Sequence, residues 1–176
     1  GADLFVEVPE IRNGYAPLVF LCRNDVGYQN LKNLITRSYT EGQQNGIPVV
    51  QTAWLNKESV AGLITLSCGC AGAIGQWLLD GRREQAAALV SLYMDLFAGD
   101  FFIELQRTGR GGEESYVEAA VKLASELCCP VVATNDVRFL TKDEFEAHEA
   151  RTCVQGGYIL EDRSRPRNYS EQQYLR

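Results

Sequence analysis

The chain has 176 residues, 45% of them hydrophobic, and a formal net charge of −6. That is enough apolar material for one domain with a real core and excludes a disordered chain. The acidic balance argues against a stand-alone nucleic-acid binder, which needs a basic face, and no apolar run approaches the ~20 residues of a membrane helix.

Nothing at the start resembles a signal peptide. The first residues are already strand-like and carry no methionine, so the chain reads as a piece cut from a longer one. Residues 3–8 predict a first strand. Asn13-Gly14 is a tight-turn signal, and residues 18–22 predict a second, buried strand, giving an antiparallel pair. Residues 25–42 read as a helix with Asp25 as N-cap. Its apolar stripe is Tyr28, Leu31, Leu34, Ile35 and Tyr39. Residues 51–59 read as a short helix or irregular link.

Residues 62–67 predict the next strand, followed by a glycine turn and a helix over 74–79. A further helix spans 83–97, with Ala87, Leu89, Val90, Tyr93 and Leu96 inward. A strand over 101–105 leads through a loop to a helix over 113–127, whose stripe is Tyr116, Ala120, Leu123 and Leu127. Pro130 ends that region because it lacks an N–H. Val131-Val132-Ala133 then predicts a fully buried strand. The strand, helix and strand make a βαβ unit, expected to be parallel and right-handed. The last helix covers 142–154, with Thr141 as N-cap and Gly156-Gly157 as stop. Residues 161–176 form a polar tail leading towards a next domain; its few large apolar residues, Tyr169, Tyr174 and Leu175, give it something to dock with.

The stretch most suited to chemistry is Thr134-Asn135-Asp136-Val137-Arg138. Polar residues at the carboxyl end of a buried strand are where α/β proteins place ligand groups. Asp136 and Arg138, two apart in extended backbone, point the same way and share one mouth. Asp3, Glu104 and Asp136 are the acid candidates. Acids alone suit Mg²⁺ or Mn²⁺, but a guanidinium fork is matched to a carboxylate, and pairing with Arg138 is the preferred reading.

Other stretches have bland readings. Gly69-Cys70-Ala71-Gly72-Ala73-Ile74-Gly75 has phosphate-turn character without the dinucleotide spacing, and reads as a tight turn needing small residues. Arg107-Thr108-Gly109-Arg110-Gly111-Gly112 offers two arginines to an anion. Glu113 and Glu114 follow at once and repel one, so a solvated, flexible loop is preferred. His148, the single histidine, reads as a surface or half-buried helix residue. Cys22, Cys68, Cys70, Cys128, Cys129 and Cys153 match no zinc framework and read as reduced, mostly buried thiols of a cytosolic protein.

Four stretches together carry a family resemblance: Val131-Val132-Ala133-Thr134-Asn135-Asp136-Val137-Arg138-Phe139, Gly27-Tyr28-Gln29-Asn30-Leu31, Glu104-Leu105-Gln106-Arg107-Thr108-Gly109-Arg110 and Arg165-Pro166-Arg167-Asn168-Tyr169. They resemble the polymerase-and-histidinol-phosphatase (PHP) domain, and more narrowly the form at the amino end of bacterial DNA polymerase III alpha subunits. The resemblance runs over 1–176 as a single domain. It implies an α/β fold, a partial distorted (β/α)7 barrel lacking its first units. Metal-binding members hold a trinuclear cluster that hydrolyses phosphoesters. Here the matching positions depart: Asp3 stands for a longer acid, Pro17 for a histidine, Gly69 (flanked by Cys68 and Cys70) for a cysteine, and Arg138 for the histidine after Asp136.

The resemblance therefore implies a degenerate site with no catalytic residue, no cofactor-binding residue and no bound metal in this segment. Asp3 and Asp136 are remnants, with Arg138 in place of a ligand. It implies a scaffold that stabilises the polymerase and docks the proofreading exonuclease subunit. Other implied partners are the rest of the alpha chain and holoenzyme, and DNA through the parent chain, whose polymerase uses Mg; no membrane is involved. The alternative is a metal-dependent phosphoesterase, proofreading or pyrophosphate-cleaving, holding Zn or Mn through Asp3, Asp136 and Cys68 or Cys70, with metal-bound water as nucleophile. A dinucleotide-binding domain rests only on the glycines near Gly72.

Overall fold

The computed structural model describes residues 1–176. The chain groups into two compact units, Gly1–Leu105 with Ser115–Val132, and Gln106–Glu114 with Ala133–Arg176. The architecture is mixed α/β, built on one seven-stranded sheet.

In the first unit, β1 (Ala2–Glu7) and β2 (Tyr15–Cys22) form the expected antiparallel pair, with Asp3 opposite Val19 and Phe5 opposite Pro17. Gly14 takes φ 76° in the connecting turn, a conformation glycine adopts without penalty. Alternate residues Val6, Ala16, Leu18 and Phe20 are buried, whereas Phe5 and Leu21 on the opposite face stay partly open. This is the period-two pattern of a half-buried sheet.

Helix α1 (Asp25–Thr40) is capped by Asn24, not Asp25: the Asn24 side chain accepts from the Gly27 N–H at 3.0 Å. Its buried residues are Gly27, Leu31, Leu34 and Ser38, while Tyr28 and Tyr39 point to solvent at 55% and 59% exposure. The stripe is rotated because the helix approaches the backbone at Gly62. A Cβ on Gly27 would stand 1.9 Å from the Gly62 carbonyl oxygen. Gly27 must therefore face in, which turns Tyr28 out.

Two short strands went unpredicted. β3 (Gln43–Gln44) and β4 (Ile47–Val50) form an antiparallel hairpin, and β4 adds parallel to β1. The signal was Asn45-Gly46, where both residues have positive φ, at 52° and 83°, as a type I′ turn needs. A 3-10 turn at Thr52–Trp54 follows. β5 (Leu63–Leu66) pairs antiparallel with β2 and parallel with β6 (Phe101–Gln106). Between them lie α2 (Ala73–Leu79) and α3 (Arg83–Phe97). The inward residues of α3 are Ala86, Val90, Tyr93 and Phe97; Ala87, Leu89 and Leu96, expected inside, are only half-buried. Phe97 meets Phe20 with ring centroids 6.2 Å apart, and Tyr93 meets Phe101 at 5.4 Å.

α4 (Glu113–Leu127) joins β6 to β7 (Val131–Thr134), and the sheet order is β3-β4-β1-β2-β5-β6-β7. β7 is thus an edge strand. Its alternation is exposed and half-buried, with Val131 at 46% exposure, rather than fully buried. An apolar triplet cannot distinguish a central strand from an edge one.

In the second unit, a 3-10 turn at Lys142–Glu144 runs into α5 (Phe145–Gly156). The Glu144 carboxylate accepts from the Leu140 N–H at 2.8 Å, and Gly157 ends the helix with φ 71°. The tail folds back. Tyr174 bridges parallel to Phe139, and the Leu175 N–H donates to the Phe139 carbonyl at 3.1 Å. The buried anchor of the tail is Gln173, with no solvent exposure, while Leu175 stays 60% exposed. No helix is long and apolar enough to cross a membrane.

Gly27→Ala should destabilise the first unit by roughly 1–3 kcal/mol, since the added methyl has backbone, not a mobile side chain, in its way. Urea unfolding of the two proteins measures it; an unchanged midpoint contradicts the close approach.

Candidate functional site

Asp136 lies in the extended segment just after β7, in the second unit. Its Oδ1 is 2.7 Å from Arg138 Nη2, and its Oδ2 is 3.1 Å from Arg110 Nη1. The Gln173 side-chain amide donates to Oδ2 at 2.9 Å and to the Asp136 carbonyl at 3.1 Å. One carboxylate thus receives two guanidiniums and an amide. Gln173 is itself fixed: its Oε1 accepts from the Ser170 N–H at 2.8 Å, and its carbonyl accepts from the Arg138 N–H at 2.8 Å. Asn135 completes the join, donating to the carbonyls of Gln172 and Tyr174 at 3.1 and 2.9 Å.

Arg110 bridges the half-buried Asp136 to a second carboxylate, which is buried. Glu113 accepts from the Thr108 N–H and hydroxyl, each at 2.6 Å, and from Arg110 Nε at 3.0 Å. Arg110 Nη2 also donates to the Gln106 side-chain oxygen at 3.1 Å. The 107–112 segment is therefore a braced loop, not the solvated, flexible one expected. Glu113 does not repel an anion from it; it is the anion the loop wraps. Thr108 is fully buried and Glu113 is 3% exposed. Burial pushes the Glu113 carboxyl up, but the hydrogen bonds from Thr108 and Arg110 outweigh it and hold it below its ordinary value. Arg107 makes an exposed ion pair with Glu114 at 3.2 Å.

The remaining candidates lie apart. Asp3 is exposed on β1 and belongs to the first unit, as does Pro17, which faces Phe5 across the strand pair. Glu104 is buried; its N–H donates to the Ser67 hydroxyl at 2.9 Å, and its carbonyl accepts from Tyr116 at 2.7 Å. Burial raises the Tyr116 hydroxyl, which stays protonated and donates. Cys68 takes φ 62° before the 3-10 turn at Gly69–Ala71. The glycines there serve packing: a Cβ on Gly72 would stand 1.8 Å from the Ser67 carbonyl oxygen, and one on Gly75 would stand 2.2 Å from that of Gly69. Of the six cysteines, only Cys129 and Cys153 are buried; Cys128 is exposed and the rest intermediate. His148, expected at or near the surface, is 5% exposed.

No three His, Cys, Asp or Glu side chains are grouped to hold a metal ion. The donor chemistry agrees, because both Asp136 oxygens face cationic or amide donors, Pro17 and Gly69 offer no side-chain ligand, and Arg138 accepts no bond to a cation. Sequence reasoning found the Asp136–Arg138 pair, placed Thr108 and Arg110 in a solvated loop and Glu113 at a helix start, and passed over Gln173. The Arg110–Glu113 spacing was a visible helical-type pair; Gln173 sent no signal, being a polar residue in a polar tail.

Comparison with known families matches residues 1–108 to the PHP domain. Over all 176 residues the chain is 46% identical to the DNA polymerase III subunit alpha of Pseudomonas aeruginosa, 45% identical to that of Vibrio cholerae and 44% identical to that of Escherichia coli K12. The whole chain is covered in each case, and it spans about 15% of the length of these relatives.

Glu113→Gln keeps the shape and removes the charge, so it should cost about 1–3 kcal/mol. Because the folded Glu113 value is depressed, its stabilisation is present above the ordinary carboxyl value of ~4.3 and is lost as pH falls through the folded value. Unfolding midpoints of wild type and variant, measured from neutral pH into acid, should converge at the acid end.

Proposed function

Since the chain belongs to the PHP domain family, we propose that it is the PHP portion of a bacterial DNA polymerase III alpha subunit acting as a scaffold, with guanidinium charge where metal-binding members hold cations. The observation that carries this reading is Asp136 held between Arg138 at 2.7 Å and Arg110 at 3.1 Å. A cation placed there would have to displace two fixed positive charges from the carboxylate. The arginines neutralise the carboxylate permanently and need no ion to do so.

On this reading residues 1–176 belong to one domain, a distorted (β/α)7 barrel in part. The half-open sheet face at Phe5 and Leu21 and the edge strand β7 support it, because a barrel needs an interior face and a neighbour on each strand. Asp3 and Asp136 are remnants of an older ligand set. The domain stabilises the polymerase, offers a surface to the proofreading exonuclease subunit, and meets DNA through the rest of the alpha chain in the cytoplasmic holoenzyme. Nucleotide addition with Mg²⁺ belongs to that remainder.

Metal analysis of the full-length alpha chain, purified without chelator, tests the reading. Zinc and manganese should be well below one equivalent in wild type and in Asp136→Asn alike. One equivalent in wild type that is lost in Asp136→Asn overturns it. The same substitution should lower the unfolding midpoint by the equivalent of about 1–3 kcal/mol, because it strips a charged partner from both Arg110 and Arg138.

A further inference from the structure

His148 sits on α5 where three elements meet inside the second unit. Its ring is edge-on to Tyr169 of the tail, with centroids 4.6 Å apart and planes at 88°, and lies 5.6 Å from Phe139. Its Nδ1 is 3.2 Å from Arg151 Nη2. A guanidinium only donates, so Nδ1 is a bare acceptor and the ring proton resides on Nε2. That nitrogen is buried and has no hydrogen-bond partner. The imidazole is neutral, enclosed and 5% exposed.

We propose that His148 is a pH-sensitive latch that holds the tail, residues 165–176, against α5 and releases it when the imidazole takes up a proton. The charged groups around it leave a second proton no stable place. Arg151 already aims a guanidinium at Nδ1. Arg138 stacks on the far partner, 5.5 Å from the Tyr169 ring centre, and its own charge is committed to Asp136. Glu149, the α5 carboxylate that acts on the ring, is buried and paired with Arg165 at 2.5 Å. Tyr169 brings only an aromatic edge. Burial, then Arg151, and after them Arg138 hold the imidazole below its ordinary value, with Glu149 opposing.

The sign follows. The closed tail requires neutral His148, whereas the open tail lets it titrate at ~6.5. Above that value the latch is closed. Below it the open form gains a proton that the closed form refuses, so opening rises about tenfold per pH unit until the closed-form value is reached. Release of Tyr169 also takes away the ring on which Arg138 rests.

The test is hydrogen exchange read by mass spectrometry on the full-length alpha chain, at about pH 7.5 and about pH 5.5, corrected for the intrinsic pH dependence of exchange. Peptides from 165–176 should lose protection by roughly three- to tenfold at the lower pH, while peptides from 1–105 hold theirs. His148→Asn keeps an acceptor for Arg151 and cannot charge, so its tail should be equally protected at both values. A pH-independent wild-type tail, or an equal loss in the variant, overturns the proposal. Should the variant be open at neutral pH, the wild-type profile decides. A one-proton step confined to 133–176 supports the latch, and a step shared with 1–105, or no step, overturns it.

Discussion

A carboxylate that cannot be left half-dry without positive charge organises the second unit. Asp136 faces Arg138, Arg110 and Gln173, and each of these is held by something else. Arg110 is fixed by Glu113, Glu113 by the Thr108 N–H and hydroxyl, and Gln173 by the Ser170 N–H. Ser170 in turn donates to the Thr108 carbonyl. The ring of bonds closes on itself, so the loop after β6, the segment after β7 and the tail are mutually determined. Two carboxylates, Glu113 and Asp136, alternate with two guanidiniums, Arg110 and Arg138. Each buried or half-buried charge thereby has an opposite neighbour and a hydrogen bond, the condition under which such charges are tolerated.

An arginine at position 138 is chemically unlike a metal-ligating side chain. A histidine at this position can accept a metal or stay neutral; a guanidinium can do neither and is charged at every working pH. Its fork is rigid and gives Asp136 a fixed partner in a fixed direction. A divalent cation would need several oxygen or nitrogen donors in the same place, and these side chains supply one carboxylate already committed. The Asp136–Arg138 contact is therefore an ion pair that needs no metal to form.

What could be read beforehand follows the range of the interaction. The Asp136–Arg138 pair was legible because two residues apart in extended backbone share a side. The limits of α3 and α4 were legible because their apolar periodicity is long. The rotation of α1 was not, since Tyr28 and Tyr39 fit the helical period as well as Gly27 does, and only the close pass at Gly62 decides between them. β7 was placed correctly and buried wrongly, because hydropathy reports apolar character and not whether a neighbour exists. Glu113 was assigned to the helix dipole when its real partners were three to five residues back, and Gln173 reaches Asp136 across 37 residues, a distance at which no local pattern carries information.

The two units also differ in what holds them. The main hydrophobic cluster is drawn wholly from the first unit, through Phe20, Tyr93, Phe101, Ile103, Tyr116 and Leu123 among others. In the second unit the buried residues are mostly polar or ionisable: Thr108, Glu113, His148, Glu149 and Gln173, with Phe139 and Cys153 as apolar exceptions. Apolar burial is indifferent to protonation, whereas charge-assisted bonds exist only while each partner keeps its charge state. The first unit is accordingly held chiefly by apolar burial, with its ion pairs at the surface. The second depends on Glu113 keeping the charge that Thr108 and Arg110 bind and on His148 remaining neutral. Those requirements fail at different points as pH falls, the histidine's first. The segment that carries the Asp136 site is therefore held by groups whose bonds depend on protonation state, whereas the main apolar cluster of the first unit contains none of them.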